Sequence, residues 1–157
     1  MSTRARVWWV VIVAWGLLLL GLGFWSALRD PATVREMSGI GAAKQVVDQV
    51  VGGVSGSVPP DWLFTDRGYR EERCELTVAR DGVSATRTLT LNGPPESESD
   101  ALAKVASTVE GARLRPSGRP PESFYADAGT FVAVRGKITG PGSITVELTT
   151  GCRPPNS

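Results

Sequence analysis

The chain opens on an unbroken apolar run: from Val7 to Leu28 no residue is charged. At about 1.5 Å per helical residue the run covers roughly 33 Å, enough to cross the hydrocarbon core of a bilayer once. Trp8 and Trp9 stand near its start and Phe24 and Trp25 near its end, where amphipathic rings settle at the two interfaces, with Leu17 to Leu20 between them. Arg4 and Arg6 precede the run, whereas Arg29 is followed at once by Asp30. That bias predicts a plasma-membrane anchor with a cytoplasmic N-terminus and an extracytoplasmic remainder. The rival reading is a cleaved secretory signal whose apolar region ends at Leu22, and it exports the domain equally. A cleavage site needs small residues, and the bulky Phe24 and Trp25 crowd that zone, so a retained single span is expected. No cysteine lies near the end of the run to accept a lipid.

After the run the pattern becomes that of a soluble domain. Asp30-Pro31 suits a helix start, and Ile40, Ala43, Val47, Val50 and Val54 then recur at three-to-four spacing. This predicts an amphipathic helix ending near Gly52-Gly53, with Gly39 and Gly41 weakening its first turns into a stalk. Val58-Pro59-Pro60 breaks the chain, and Pro60 to Arg73 reads as a long charged loop in which Trp62 and Phe64 close one end of the core. From Cys74 to Leu91 the period changes to two, with Asp81-Gly82 between two alternating runs, which predicts a hairpin turning at that pair. In that register Arg80 faces Val83, Cys74 faces Leu89, and Arg87 intrudes on the apolar face opposite Leu76 as a snorkelling edge residue. Ser97 with Asp100 resembles a capping box, and Leu102, Val105, Ala106 and Val109 form a second helical stripe ended by Gly111. Pro116 to Pro121 reads as a loop, followed by strands over Thr130 to Ile138 and Ser143 to Thr150.

The order helix-hairpin-helix-hairpin predicts an α+β fold behind the transmembrane helix: a two-layer α/β sandwich with both helices on one face of a four-stranded antiparallel sheet. Threonines 77, 86, 88, 145 and 149 are expected on the other, polar face. The expected organisation is a cytoplasmic N-terminus (1–6), a membrane span (7–28), a stalk (29–41), the extracytoplasmic domain (42–153) and a disordered tail (154–157).

Composition narrows the chemistry. Among the 157 residues there is no histidine and only two cysteines, which leaves out imidazole bases and makes a thiolate zinc site improbable. No cofactor and no metal site is expected. From Arg29 onward 15 basic residues meet 16 acidic ones, a formal charge of −1, so the domain is no polycation seeking nucleic acid. Cys74 and Cys152 fall on core-facing positions of the expected strands, and in an oxidising compartment they are expected to form a disulfide.

The layout also resembles a known group. A helix ends in a short apolar segment, Asp61-Trp62-Leu63-Phe64 follows, Cys74-Glu75-Leu76 opens a strand, and Thr150-Gly151-Cys152 ends the last one. This is similar to the LppA-like envelope proteins of actinobacteria over roughly residues 33 to 153. The resemblance implies a small extracytoplasmic domain and carries over no catalytic residues. This chain differs in having no lipid-acceptor cysteine. Arginine far outnumbers lysine, which occurs only as Lys44, Lys104 and Lys137, in agreement with a high-GC source.

Candidate sites are few. Asp66, Glu71 and Glu72 lie near Trp62 and Tyr69, and a Glu71/Glu72 pair is the basis on which an envelope hydrolase would work. Arg113, Arg115 and Arg119 in a Pro/Gly loop are of the type that grips phosphate. Neither a Gly-x-Gly-x-x-Gly nor a Walker loop is present, so an enzyme is not expected. The reading that assumes least is a membrane-tethered binding or adaptor module of the cell envelope; an accessory subunit of a larger membrane complex comes next. Within Pro60 to Arg73, Arg67, Tyr69 and Arg70 are expected to form a partner-binding rim supported from beneath by Trp62 and Phe64, because aromatic and Arg side chains concentrate binding energy.

Overall fold

A computed structural model describes residues 3–29, 38–78, 80–115 and 122–155. The apolar run is a single helix, α1 (Thr3–Arg29). Its window Trp8–Ser26 is long and apolar enough to cross a membrane, and none of it is buried within the protein. Asp30-Pro31, most of the expected stalk and the Pro116 to Pro121 loop lie outside the described residues.

The other described residues are α+β. Helices α2 (Ile40–Ser57) and α3 (Glu98–Ser107) accompany six strands: β1 (Leu63–Thr77), β2 (Arg80–Asn92), β3 (Arg113–Leu114), β4 (Ser123–Asp127), β5 (Val132–Gly140) and β6 (Ser143–Thr150). They form one sheet in the order β1-β2-β6-β5-β4-β3, and every neighbouring pair is antiparallel. Six strands therefore replace the four expected. The two additions sit at the end of the sheet, where β4 brings Phe124 and Ala126 into the core and leaves Tyr125 outside.

The stripe of α2 buries Ala43, Val47, Val51 and Val54 against the sheet, and α3 adds Ala101, Leu102, Val105 and Ala106. Facing them are Leu89 and Leu91 of β2, Val132 and Val134 of β5, and Ile144, Val146 and Leu148 of β6, all buried. At about 1.5–3 kcal/mol for each fully buried large aliphatic side chain, this single apolar layer is the main source of stability. Instead of stopping at Gly52-Gly53, α2 continues to Ser57, because Val54 still reaches the core one turn later. Ser97 is the N-cap of α3, but its hydroxyl donates to the Pro94 carbonyl, so the capping box is not formed. Trp62 is buried and Phe64 half-buried against the core, and the indole lies directly over Gly93, where a Cβ would come within 2.2 Å of the ring.

The first hairpin differs most from expectation. Thr77 pairs with Arg80, and Asp81-Gly82 is inside β2 opposite Glu75 and Cys74. Gly82 serves another purpose there: a Cβ would lie 2.6 Å from Cys152 Sγ and 2.9 Å from Leu76. What reads locally as a turn signal is room for a sulfur that arrives from 70 residues further along. The slip moves Cys74 from Leu89 to Gly82 and puts it on the parity of Arg70 and Glu72, away from the helices. Cys74 and Cys152 are bonded to each other, with their Cα atoms 5.9 Å apart, and both are half-buried instead of facing the core.

Beyond β6 the chain returns to the start of the domain. Arg153 pairs with Val83 through two backbone hydrogen bonds, and Nη1 of its buried guanidinium donates to the Ser38 carbonyl at 2.9 Å. The amide of Ile40 donates to the carbonyl of Pro154, so a residue assigned from sequence to the tail is part of the fold.

Candidate functional site

The long charged loop expected over Pro60 to Arg73 is mostly strand, and strand geometry sends successive side chains to opposite faces. A bulge between Asp66 and Tyr69 resets that alternation. It is built on Gly68, whose φ of 72° suits glycine and whose amide donates to Asp66 Oδ1 at 2.8 Å. Beyond the bulge, Tyr69 and Glu71 turn towards α2, while Arg70 and Glu72 turn to the open face.

On the helix side these residues form a charged cluster. The Tyr69 hydroxyl donates to Asp48 Oδ1 at 2.8 Å, with the Lys44 carbonyl 3.0 Å away. Arg87 lies over the Tyr69 ring, 4.8 Å from its centre, and donates from Nε and Nη2 to Asp66 and from Nη1 to Asp48. Lys44 completes the cluster with Glu71. The Arg87 guanidinium, aided by the Gly68 amide, holds the Asp66 carboxyl below its ordinary range against the opposing effect of burial. The Tyr69 phenol is pushed up, first by burial and then by the Asp48 carboxylate. Arg87 itself is raised, chiefly by its bond to Asp66. It is thus no snorkelling edge residue: β2 lies between β1 and β6, and Arg87 is clamped between strand and helix.

Among the described residues, the opposite face of the sheet carries no helix. Two adjoining hollows of about 570 and 490 Å³ lie on it and share Glu147. The first is lined by Arg115, Tyr125, Arg135, Lys137 and Thr145 among others, the second by Arg67, Arg70, Glu72, Thr86 and Thr88. Register places them in rows: Thr88, Glu147, Arg135 and Tyr125 are successive partners across β2, β6, β5 and β4. Tyr125 is 47% exposed, and the Arg135 guanidinium lies 5.9 Å from its ring centre. Arg70 pairs with Glu72 at 2.8 Å, whereas Arg115, Arg135, Lys137 and Glu147 form no ion pair among the described residues.

The expected rim is therefore divided. Arg67 and Arg70 share the second hollow, while Tyr69 is committed to α2 on the other face. Glu71 and Glu72 likewise point to opposite faces and do not converge on one space, as a paired-carboxylate hydrolase requires. Of the three loop arginines, Arg113 pairs beside Tyr125 in β3, Arg115 lines the first hollow, and Arg119 lies outside the described residues. Sequence reading missed Tyr125, Arg135 and Lys137. The signal was present, since Phe124 and Ala126 alternate with Ser123, Tyr125 and Asp127 in period two. Among the described residues, no group of three or more His, Cys, Asp or Glu could hold a metal ion.

No family model and no curated protein matches the sequence. Among solved structures, the chain is similar to a DUF4853 family protein from Actinomyces odontolyticus. The two are 18% identical, the likeness covers 82% of this chain and 75% of that one, and the TM-score is 0.53. Similarity at that identity speaks for the fold alone.

Proposed function

We propose that this protein is a membrane-tethered binding module of the cell envelope, held by α1 and presenting the open face of its sheet to a ligand outside the cytoplasm. The observation that carries this reading is the contrast between the two faces of the sheet. One packs its apolar core against α2 and α3, and the other exposes hollows lined by arginine, lysine, tyrosine and threonine. Tyr and Arg are the side chains in which binding energy concentrates. The unburied apolar window of α1, the basic flank at Arg4 and Arg6 and the sequence's resemblance to LppA-like envelope proteins support an extracytoplasmic position. Glu71 and Glu72 on opposite faces favour binding over hydrolysis.

Photo-crosslinking in intact cells tests the reading. A photoreactive residue at Thr88 or Thr145 should yield discrete adducts with an extracytoplasmic component, and the same residue at the exposed Gln49 of α2 should not. No adducts from either sheet position, or adducts with cytoplasmic components only, overturns it.

A further inference from the structure

We infer that the open sheet face is a site for an acidic glycan, an extended sugar chain carrying phosphate or carboxylate groups, laid across the strands. The inference rests on the binding-module reading and names the chemistry of its ligand.

Charge is the first argument. The two hollows together are lined by five cations, Arg67, Arg70, Arg115, Arg135 and Lys137, against the carboxylates of Glu72 and Glu147. The domain as a whole is nearly neutral, so the positive charge is gathered here. Arginine forks match phosphate and carboxylate oxygens in bidentate fashion, which favours an anionic ligand.

Arrangement is the second. Four of the cations stand at two ends, Arg67 and Arg70 on β1 and Arg135 and Lys137 on β5. Three strand spacings of about 4.8 Å put these ends roughly 14 Å apart. Between them lie the hydroxyls of Thr86, Thr88 and Thr145 and the acceptor Glu147. A continuous polyanion would meet repulsion at Glu147, whereas a chain with separated anions and hydroxyls between them would meet an acceptor there. Sugar units supply those hydroxyls, and their C–H faces suit the exposed ring of Tyr125. A peptide laid across the face fits less well, because the main-chain groups of β2, β6 and β5 are already paired on both sides, which leaves an extended backbone no ladder to join there.

The test uses the full-length protein in nanodiscs of neutral lipid. Its probes are a galacturonate hexamer, a phosphorylated dextran of matched length, neutral maltohexaose and poly-aspartate. At least one acidic sugar should bind, weakening as salt rises, with maltohexaose and poly-aspartate weaker by about tenfold or more. Arg135→Ala with Lys137→Ala should weaken it about tenfold, and Tyr125→Ala should weaken it at all salt concentrations, with unchanged melting curves. Failure of both acidic sugars to bind, equal binding of poly-aspartate or maltohexaose, or indifference to both variants overturns the inference. If Thr88 and Thr145 still crosslink to a protein while the acidic sugars fail, the binding-module reading stands and only the ligand class falls; loss of the crosslinks as well removes both.

Discussion

At Gly136 a Cβ would lie 2.0 Å from Phe124 Cε1, on the neighbouring strand where the two residues are paired. The ring rests on the bare backbone, so Gly136→Ala must push Phe124 off its buried seat, at a cost of about 1–3 kcal/mol from overpacking. A denaturant titration should show that loss at an unchanged slope. The Asp66 and Arg87 pair is sensitive in a different way. The folded-state pKa of Asp66 is lowered, so in the unfolded chain the carboxyl binds its proton at higher pH than in the fold. The pair therefore contributes stability above the unfolded value near 3.8, and that contribution fades as pH falls from there through the lower folded value. Melting temperatures of the parent and of Asp66→Asn should differ near pH 6 and converge at the acid end; a constant difference would contradict this. Arg87 was legible from sequence as an intruder on an apolar face. Its three partners come from α2 and from a bulge, and alternation alone shows neither.

Among the elements, α2 has Gly52 and Gly56 on its exposed side with nothing within 4 Å of a Cβ. Alanine at Gly52 should raise stability by about 0.5–1 kcal/mol, measurable as a higher denaturant midpoint. The strands of the second hairpin, the two helical stripes and the existence of an antiparallel sheet were all readable, because each repeats a local period. The first hairpin was not. Asp81-Gly82 has the composition of a tight turn, but the fold uses the glycine to admit Cys152, and a contact across 70 residues leaves no trace in a ten-residue window. The Arg and Tyr groups of the candidate site were split between the faces for a similar reason, since the bulge at Gly68 decides which side each residue takes. The disulfide closes a separation of 78 residues, so replacing Cys74 and Cys152 together by serine should lower stability by about 4 kcal/mol in the chain-entropy picture. Urea unfolding of the double variant against the oxidised parent measures it.

For the whole molecule, the anchored reading predicts that a phosphatase fused after Pro155 is active and that a cytoplasm-only reporter at the same place is silent. The reverse result would invert the topology and remove the oxidising environment that the disulfide needs. Where such a fusion sits follows from the seam at which Arg153 and Pro154 meet Ser38 and Ile40. The polypeptide enters and leaves the domain at one pole, like both ends of a string tied at a single knot. Ser38 is nine residues past Arg29, and a fully extended chain of that length reaches only about 30 Å. Cargo appended at the exit is thereby leashed close to the root of the tether. A pull between membrane and cargo would load this seam together with the β1–β2 hairpin, which Arg153 holds through Val83 and Cys152 through Cys74.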